Sequence, residues 1–280
     1  MKKILLAFLL LGLLGGWTEK PNEKEKIEVS SVNLKEAETY YNNGITKYKL
    51  QNYEEAILDY NKAIELNPQY AEAYNNRGVV KSKLQNYEEA ILDYNKAIEL
   101  NPKYTEVYYK RGNAKRDLKQ YEEAILDFDN AIKLNPKYTQ AYNNRGVVKS
   151  KLQNYREAIL DYNKAIELNP ELAMVYNNRG IDRHNLKNYV EAILDFNKSI
   201  ELNPKFAMAY NSRGVTKNKL QDYEGAILDY DKAIELNPKY VEAYNNRGNA
   251  KRNLKKYDEA ILDYNKANEL NIELKNLNKD

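Results

Sequence analysis

The stretch YNNRGVVKSKLQNYEEAILDYNKAIELNP at residues 74–102 returns at residues 142–170 with a single change, Glu88 giving way to Arg156. The prolines that close the two copies belong to a longer series, Pro68, Pro102, Pro136, Pro170, Pro204 and Pro238, each 34 residues from the next. Around every one runs Ala-Ile-x-Leu-Asn-Pro or a close variant. A fixed period of this length with two helical half-patterns marks an array of helix–turn–helix units. Each unit packs only on its neighbours, and the stack buries one continuous core. Such a chain offers an extended recognition surface in place of a catalytic pocket.

Counting back from the prolines gives seven units: 37–70, 71–104, 105–138, 139–172, 173–206, 207–240 and 241–274. In the second, helix A runs from Ala71 to Leu84 and helix B from Tyr87 to about Leu100. Asn86 is placed to cap helix B with Glu89 three residues on, and Glu88 and Glu89 stand where the helix dipole favours negative charge. Asn101-Pro102 ends it, because the residue before proline is pushed out of the helical region. Glycine fills position 8 of every unit, from Gly44 to Gly248. Inside a helix it costs about 1 kcal/mol relative to alanine, and close approach to the alanine of position 20 is the expected compensation. Of the 26 tyrosines, 23 fall at positions 4, 17, 24 or 34, where they pack between these small residues. In the last unit Asn268 and Ile272 stand at the apolar and proline positions, so its second helix is expected to run on toward Leu277.

Composition removes whole classes of chemistry. The 280 residues hold no cysteine and one histidine, which leaves no disulfide, thiolate nucleophile or multi-histidine metal site. No cofactor and no small-molecule substrate are expected, and every glycine of the array sits singly within a helix, so there is no phosphate-cradling loop. Without Lys2 and Lys3 the chain has 42 basic against 41 acidic side chains, a balance that gives no reason to expect nucleic acid as a partner.

Residues 1–17 read as a signal peptide or short anchor: Lys2 and Lys3, an apolar run from Ile4 to Leu14, then Gly15, Gly16 and Trp17. The run is short for a membrane span and fits an export leader, which predicts a mature chain starting near Trp17 or Thr18 in the periplasm or outside the cell. Membrane contact is expected only if the leader, residues 4–17, is retained. Leu14-Gly15-Gly16 matches the start of a lipobox, but Trp17 stands where the acylated cysteine would be. Residues 18–36, rich in Glu and Lys and without apolar period, read as a flexible charged linker. The array begins near Asn33, a candidate cap with Glu36. Residues 275–280 form a short tail.

This pattern closely resembles the tetratricopeptide repeat family, whose motif has a large residue at position 4, Gly or Ala at 8, Ala at 20, an aromatic at 24, Ala at 27 and Pro at 32. The resemblance covers 37–274 and implies an all-α, right-handed α-solenoid of seven 34-residue helix–turn–helix repeats. It also implies a non-enzymatic scaffold that binds one or more proteins or peptides, extended or helical, in a concave groove. The alternatives are a nucleic-acid-binding helical repeat of the related pentatricopeptide type and an accessory subunit of an enzyme complex. The 34-residue period and the neutral mature chain argue against the first. The family's chaperone-binding members need a lysine at position 5, where this chain has only Tyr or Asn.

Two departures from the motif stand out. Position 7 is arginine in six units (Arg77, Arg111, Arg145, Arg179, Arg213, Arg247) and position 11 is always basic, forming a stripe on helix A. An aspartate recurs at position 23 of every unit, so inter-helix ion pairs are the preferred reading over an acidic ligand. Position 6 reads Asn42, Asn76, Lys110, Asn144, Asn178, Ser212 and Asn246. In the repeat domain of the O-linked N-acetylglucosamine transferase an asparagine ladder at this position holds the main chain of extended peptides. An amide both donates and accepts, so the resemblance implies binding with little regard for sequence. The competing reading is that asparagine is merely tolerated in recently copied repeats. Replacing Asn144 and Asn178 together by alanine is expected to weaken partner binding by about 1–3 kcal/mol and to leave folding unharmed. Tyr41 and Tyr109 at position 5, and Tyr48 and His184 at position 12, fall on the same groove-lining face in this family, His184 being expected as a solvated residue.

Overall fold

The computed structural model describes residues 23–277, of which 82% are helical, with no strand among them. The leader, with the rest of residues 1–22, and residues 278–280 lie outside the described residues. Among the described residues fourteen helices follow one another and fall into two compact units, divided between Leu84 and Gln85. The first unit holds α1 (Glu23–Lys49), α2 (Tyr53–Leu66) and α3 (Ala71–Lys83). The second holds α4 (Tyr87–Leu100), α5 (Thr105–Asp117), α6 (Tyr121–Leu134), α7 (Thr139–Lys151), α8 (Tyr155–Leu168), α9 (Ala173–Asn185), α10 (Tyr189–Leu202), α11 (Ala207–Lys219), α12 (Tyr223–Leu236), α13 (Val241–Asn253) and α14 (Tyr257–Leu277). Within each unit helices A and B alternate and pack on their chain neighbours, as an α-solenoid requires.

Helix α1 corrects the linker boundary. Residues 23–36 are helical, and Asn33 lies inside the helix rather than at its cap. Between Pro21 and Gly44 nothing breaks a helix, and Glu and Lys are good helix formers. Val32 and Leu34 are exposed, so this part of the helix shows none of the apolar periodicity by which a sequence announces one.

The turn from helix A to helix B is the same in all seven repeats. Position 15, a Gln or Lys, takes φ of 61–65°, and the backbone closes a Schellman motif around it: Gln153 N–H donates to Ser150 C=O and Asn154 N–H to Lys149 C=O, both at 2.9 Å. Helix B then starts without the expected side-chain cap. Asn86, with ψ of 65°, makes no side-chain bond to the first turn. The exception is Asp222, whose Oδ1 accepts from Gly225 N–H at 3.0 Å. A Cβ at residue 225 would lie 2.2 Å from Asp222 Oδ2, so the glycine at position 19, glutamate in the other repeats, is what admits this cap. At the far end of helix B the asparagine before proline closes the turn, with Lys137 N–H donating to Asn135 Oδ1 at 3.0 Å and its counterparts alike.

The glycine of position 8 answers to a different neighbour than expected. A Cβ on Gly146 would stand 2.6 Å from Tyr162 Cε1, and Gly44, Gly112, Gly180, Gly214 and Gly248 face the aromatic ring of position 24 in the same way. The rings are fully buried: Tyr60 in the first unit, with Phe128, Tyr162, Phe196 and Tyr230 in the second. Position 10 of the following repeat packs on them where it is apolar: Val80 on Tyr60, Val148 on Phe128 and Ala250 on Tyr230. Ser199, which breaks the alanine column of position 27, is buried and donates to Ala173 C=O at 2.8 Å. Helix α14 runs to Leu277, as the loss of the last proline led us to expect, and buries Leu270. The leucine of position 22 is exposed in every repeat, one to each helix B.

Replacing Gly146 by alanine therefore forces the buried Tyr162 ring to move. Overpacking of this kind costs about 1–3 kcal/mol, more than the helix-propensity gain of about 1 kcal/mol. The urea midpoint of the G146A chain is expected to fall, and a midpoint at or above that of the parent would show that the ring has room to yield.

Candidate functional site

The charged columns neutralise one another inside the scaffold. In the second unit a buried aspartate of position 23 holds two cations: Asp161 Oδ2 accepts from Arg145 Nε at 3.0 Å and lies 2.8 Å from Lys149 Nζ. Asp127, Asp195, Asp229 and Asp263 do the same. The arginine also reaches position 25 of the preceding repeat, Arg111 to Asn95 at 2.6 Å and Arg145 to Asp129. Its guanidinium lies 5.4–5.6 Å from the tyrosine ring of position 4. In the first unit Asn43 replaces the arginine, and Asp59 pairs with Lys47 at 2.9 Å. Buried carboxylates need such partners, so the stripe belongs to the scaffold, as its column of aspartates implied.

The position-6 residues join successive A helices. In the first unit Asn76 Nδ2 donates to the Tyr41 hydroxyl at 3.0 Å, and its Oδ1 accepts from Asn75 at 2.9 Å. In the second, Asn144 is fully engaged: Nδ2 donates to the Tyr109 hydroxyl at 3.0 Å and to Asn113 Oδ1 at 2.8 Å, while Oδ1 accepts from Asn143 at 2.9 Å. Removing that amide strips three bonds from half-buried groups, so the expectation that folding is indifferent to it does not hold for Asn144. Asn178 donates to Asn143 Oδ1 at 3.3 Å and Asn246 to Asn211 Oδ1 at 3.0 Å. These two keep a carboxamide oxygen with no donor among the described residues. Lys110 is half-buried 3.6 Å from Glu106, and burial holds its ammonium below the usual lysine value. Ser212 is half-buried and its carbonyl accepts from Thr216 at 3.0 Å, while Asn42 is exposed.

The four groove-face candidates of positions 5 and 12 are half-buried. Tyr41 packs against Tyr70 with ring centroids 4.8 Å apart, and Tyr109 against Tyr138 at 5.0 Å. Burial raises the Tyr41 hydroxyl pKa, partly offset by the bond from Asn76. His184 is not the solvated residue expected. Its Nδ1 lies 2.9 Å from Thr216 Oγ1, whose own proton goes to Ser212 C=O, so Nδ1–H is the donor. Burial and then Lys219 hold the imidazole below its usual pKa. Tyr48 meets Asn76 at a hollow of about 250 Å³ in the first unit, lined by Ile45, Tyr48 and Lys49 of α1, Tyr60 of α2, and Asn76 and Val79 of α3.

One buried group went unread in the sequence. Asp182 stands at position 10, where other repeats carry Thr, Val or Ala, and is completely buried. Ser150 donates to its Oδ1 at 2.6 Å, and its Oδ2 has no hydrogen-bond partner. Burial raises its pKa to about 6, against the lowering effect of the Ser150 bond. A lone aspartate breaking an uncharged column was the available signal. Among the described residues no group of three or more His, Cys, Asp or Glu is arranged to hold a metal ion.

Models of the tetratricopeptide repeat match residues 71–104, 139–172, 173–206 and 241–271, and a second such model at 93–126. A TPR repeat model matches 44–85, 112–153 and 216–254. The chain belongs to the tetratricopeptide repeat family, whose fold makes it a protein-interaction scaffold. No curated protein matches it. Among solved structures it is similar to YrrB, described as a TPR protein with an unusual peptide-binding site, at 29% identity and a TM-score of 0.55, over 66% of this chain and 95% of that one. MamA is 25% identical with a TM-score of 0.53, over 59% and 91%. A tetratricopeptide repeat protein from Parabacteroides merdae shares the fold at 22% identity and a TM-score of 0.71, over 84% and 93%.

Asp182 sets a pH dependence. Its folded pKa of about 6 exceeds the ordinary 3.8, so between those values the folded chain holds a proton that the unfolded chain has lost. The stability this contributes is complete below pH 3.8 and is lost as the pH rises through 6, a change of about 3 kcal/mol. Asp182→Asn removes the titration, and its unfolding midpoint relative to the parent is expected to rise from pH 4 to pH 7. A constant difference across that range would contradict the assignment.

Proposed function

We propose that the chain is a non-enzymatic scaffold that holds extended polypeptide segments along the A-helix face of its repeats. The observation that carries this reading is the pair Asn178 and Asn246. Each side chain is fixed by its bond to the preceding repeat, and each keeps its carboxamide oxygen free for a peptide N–H. A fixed acceptor loses little freedom on binding. The basic stripe beside it is neutralised, which leaves neutral amides to meet a neutral main chain. The similarity to YrrB, with its peptide-binding site, supports the reading.

If so, a photo-crosslinking residue at position 178 captures unfolded or extended peptides and the same residue at exposed Leu194 on helix B does not. Replacing Asn178 and Asn246 together by alanine is expected to weaken peptide binding by about 1–3 kcal/mol, since each lost contact forfeits about 0.5–1.5. Capture from 194 alone, or unchanged affinity in the double variant, would move the site away from this face.

The setting we propose is outside the cytoplasm, in the bacterial envelope, on the strength of the basic start and apolar run of residues 2–14. N-terminal sequencing of the native protein is expected to begin near Trp17 or Thr18. An intact Met1 end in the cytoplasmic fraction would reject export, and an intact leader in the membrane fraction would make residues 4–17 an anchor.

A further inference from the structure

We propose that the hollow between α1, α2 and α3 is a side-chain pocket for an aliphatic or aromatic residue of a bound polypeptide that has an acidic residue directly beside it. This deepens the peptide-binding reading and rests on it.

The hollow's size sets the kind of occupant. At about 250 Å³ it falls below the roughly 300–1,000 Å³ of sites that enclose whole small molecules, yet it has room for one large side chain. Its walls are apolar: Ile45 and Val79 on facing A helices, with the rings of Tyr48 and Tyr60. Asn76 at its edge is held in place by Tyr41 and Asn75, which leaves a fixed polar rim.

Charge sets the neighbour. Lys49 is the charged residue of the lining, and it is exposed with no carboxylate partner among the described residues. Lys47, two residues earlier, is held instead by Asp59 at 2.9 Å and Glu55 at 3.5 Å. Lys49 is thus the cation left to meet an incoming carboxylate.

The corresponding place on the third repeat is built differently. There Asn113 stands where Ile45 does, and its Oδ1 takes the bond from Asn144 at 2.8 Å. Arg116 and Asp117 replace Tyr48 and Lys49 and bind each other at 2.8 Å. Apolar walls with an unengaged lysine mark the hollow of the first unit off from that site.

The test uses the full chain and labelled nine-residue peptides of Gly, Ser and Asn carrying a central Leu-Glu, Ala-Glu, Leu-Gln or Leu-Lys pair, with an anchorless peptide for the main-chain contribution. Leu-Glu is expected to bind about tenfold or more tighter than Ala-Glu, the worth of burying one aliphatic side chain, and a few-fold tighter than Leu-Gln. Lys49→Glu is expected to leave thermal unfolding unchanged and to transfer the preference from Leu-Glu to Leu-Lys. Equal binding of Leu-Glu and Ala-Glu, or an unaltered preference in K49E, would overturn the pocket while anchorless binding keeps the broader reading intact. Failure of every peptide to bind would bring down both.

Discussion

Every helix B in the array buries a carboxylate, and the rest of each repeat is arranged around that constraint. An aspartate that is 1–8% exposed is tolerable only beside cations with good geometry. The chain supplies them from the facing helix A at positions 7 and 11, one helical turn apart, so that in the second unit two cations converge on one carboxylate. The arginine is the better suited of the two, since its fork grips both oxygens while another nitrogen reaches the preceding repeat. One guanidinium thereby joins both helices of its own repeat to helix B of the one before, and its stacking on the position-4 tyrosine fixes the plane in which it does so. With the charges withdrawn into this clip, positions 5, 6, 9, 12 and 13 are what helix A presents on its other face.

Departures from the repeat show how local the array's tolerances are. Gly225 gives up helix propensity and gains a cap from Asp222 that a Cβ would block. Ser199 replaces an alanine and finds a carbonyl. Asp182 finds one hydroxyl and leaves an oxygen unmatched. In a solenoid each repeat meets only its neighbours, so the strain of such a group stays at one seam, here between the fourth and fifth repeats.

The proline period, the glycine and alanine columns and the basic–acidic pairing were legible in the sequence because each recurs, and recurrence turns a weak local signal into a firm one. The reason for the glycines was not: Ala158 and Tyr162 both lie on helix B, and only coordinates show that the ring of Tyr162 is the nearer to Gly146. Capping by Asn86 failed although its backbone angles nearly match those of Asp222, which does cap; the difference is the Cβ of position 19, absent only at Gly225, and that clash shows only in coordinates. Helix α1 was hidden by its own polarity before residue 37. The asparagine column was read as one set, whereas its members differ in their partners. Tyr109 and Asn113 take the Nδ2 protons of Asn144 and Asn143 closes its oxygen, while Asn178 and Asn246 donate to Asn143 and Asn211 and accept no side-chain bond among the described residues.

That last distinction bears on how copies of one repeat acquire specificity. A residue present in every repeat offers the same contact at every step, so a bound chain gains nothing by choosing one register over another. Only the breaks can choose. In the second unit they include Lys110, half-buried beside Glu106, His184, fixed on Thr216, and Ser212, which removes an amide between Asn178 and Asn246. Lys110 and Ser212 replace the amide of their column with a different hydrogen-bonding set, and His184 stands in a column that varies from repeat to repeat. Discrimination between partners has to be read from these exceptions, while the repeated positions supply the rigidity that holds the exceptions in place.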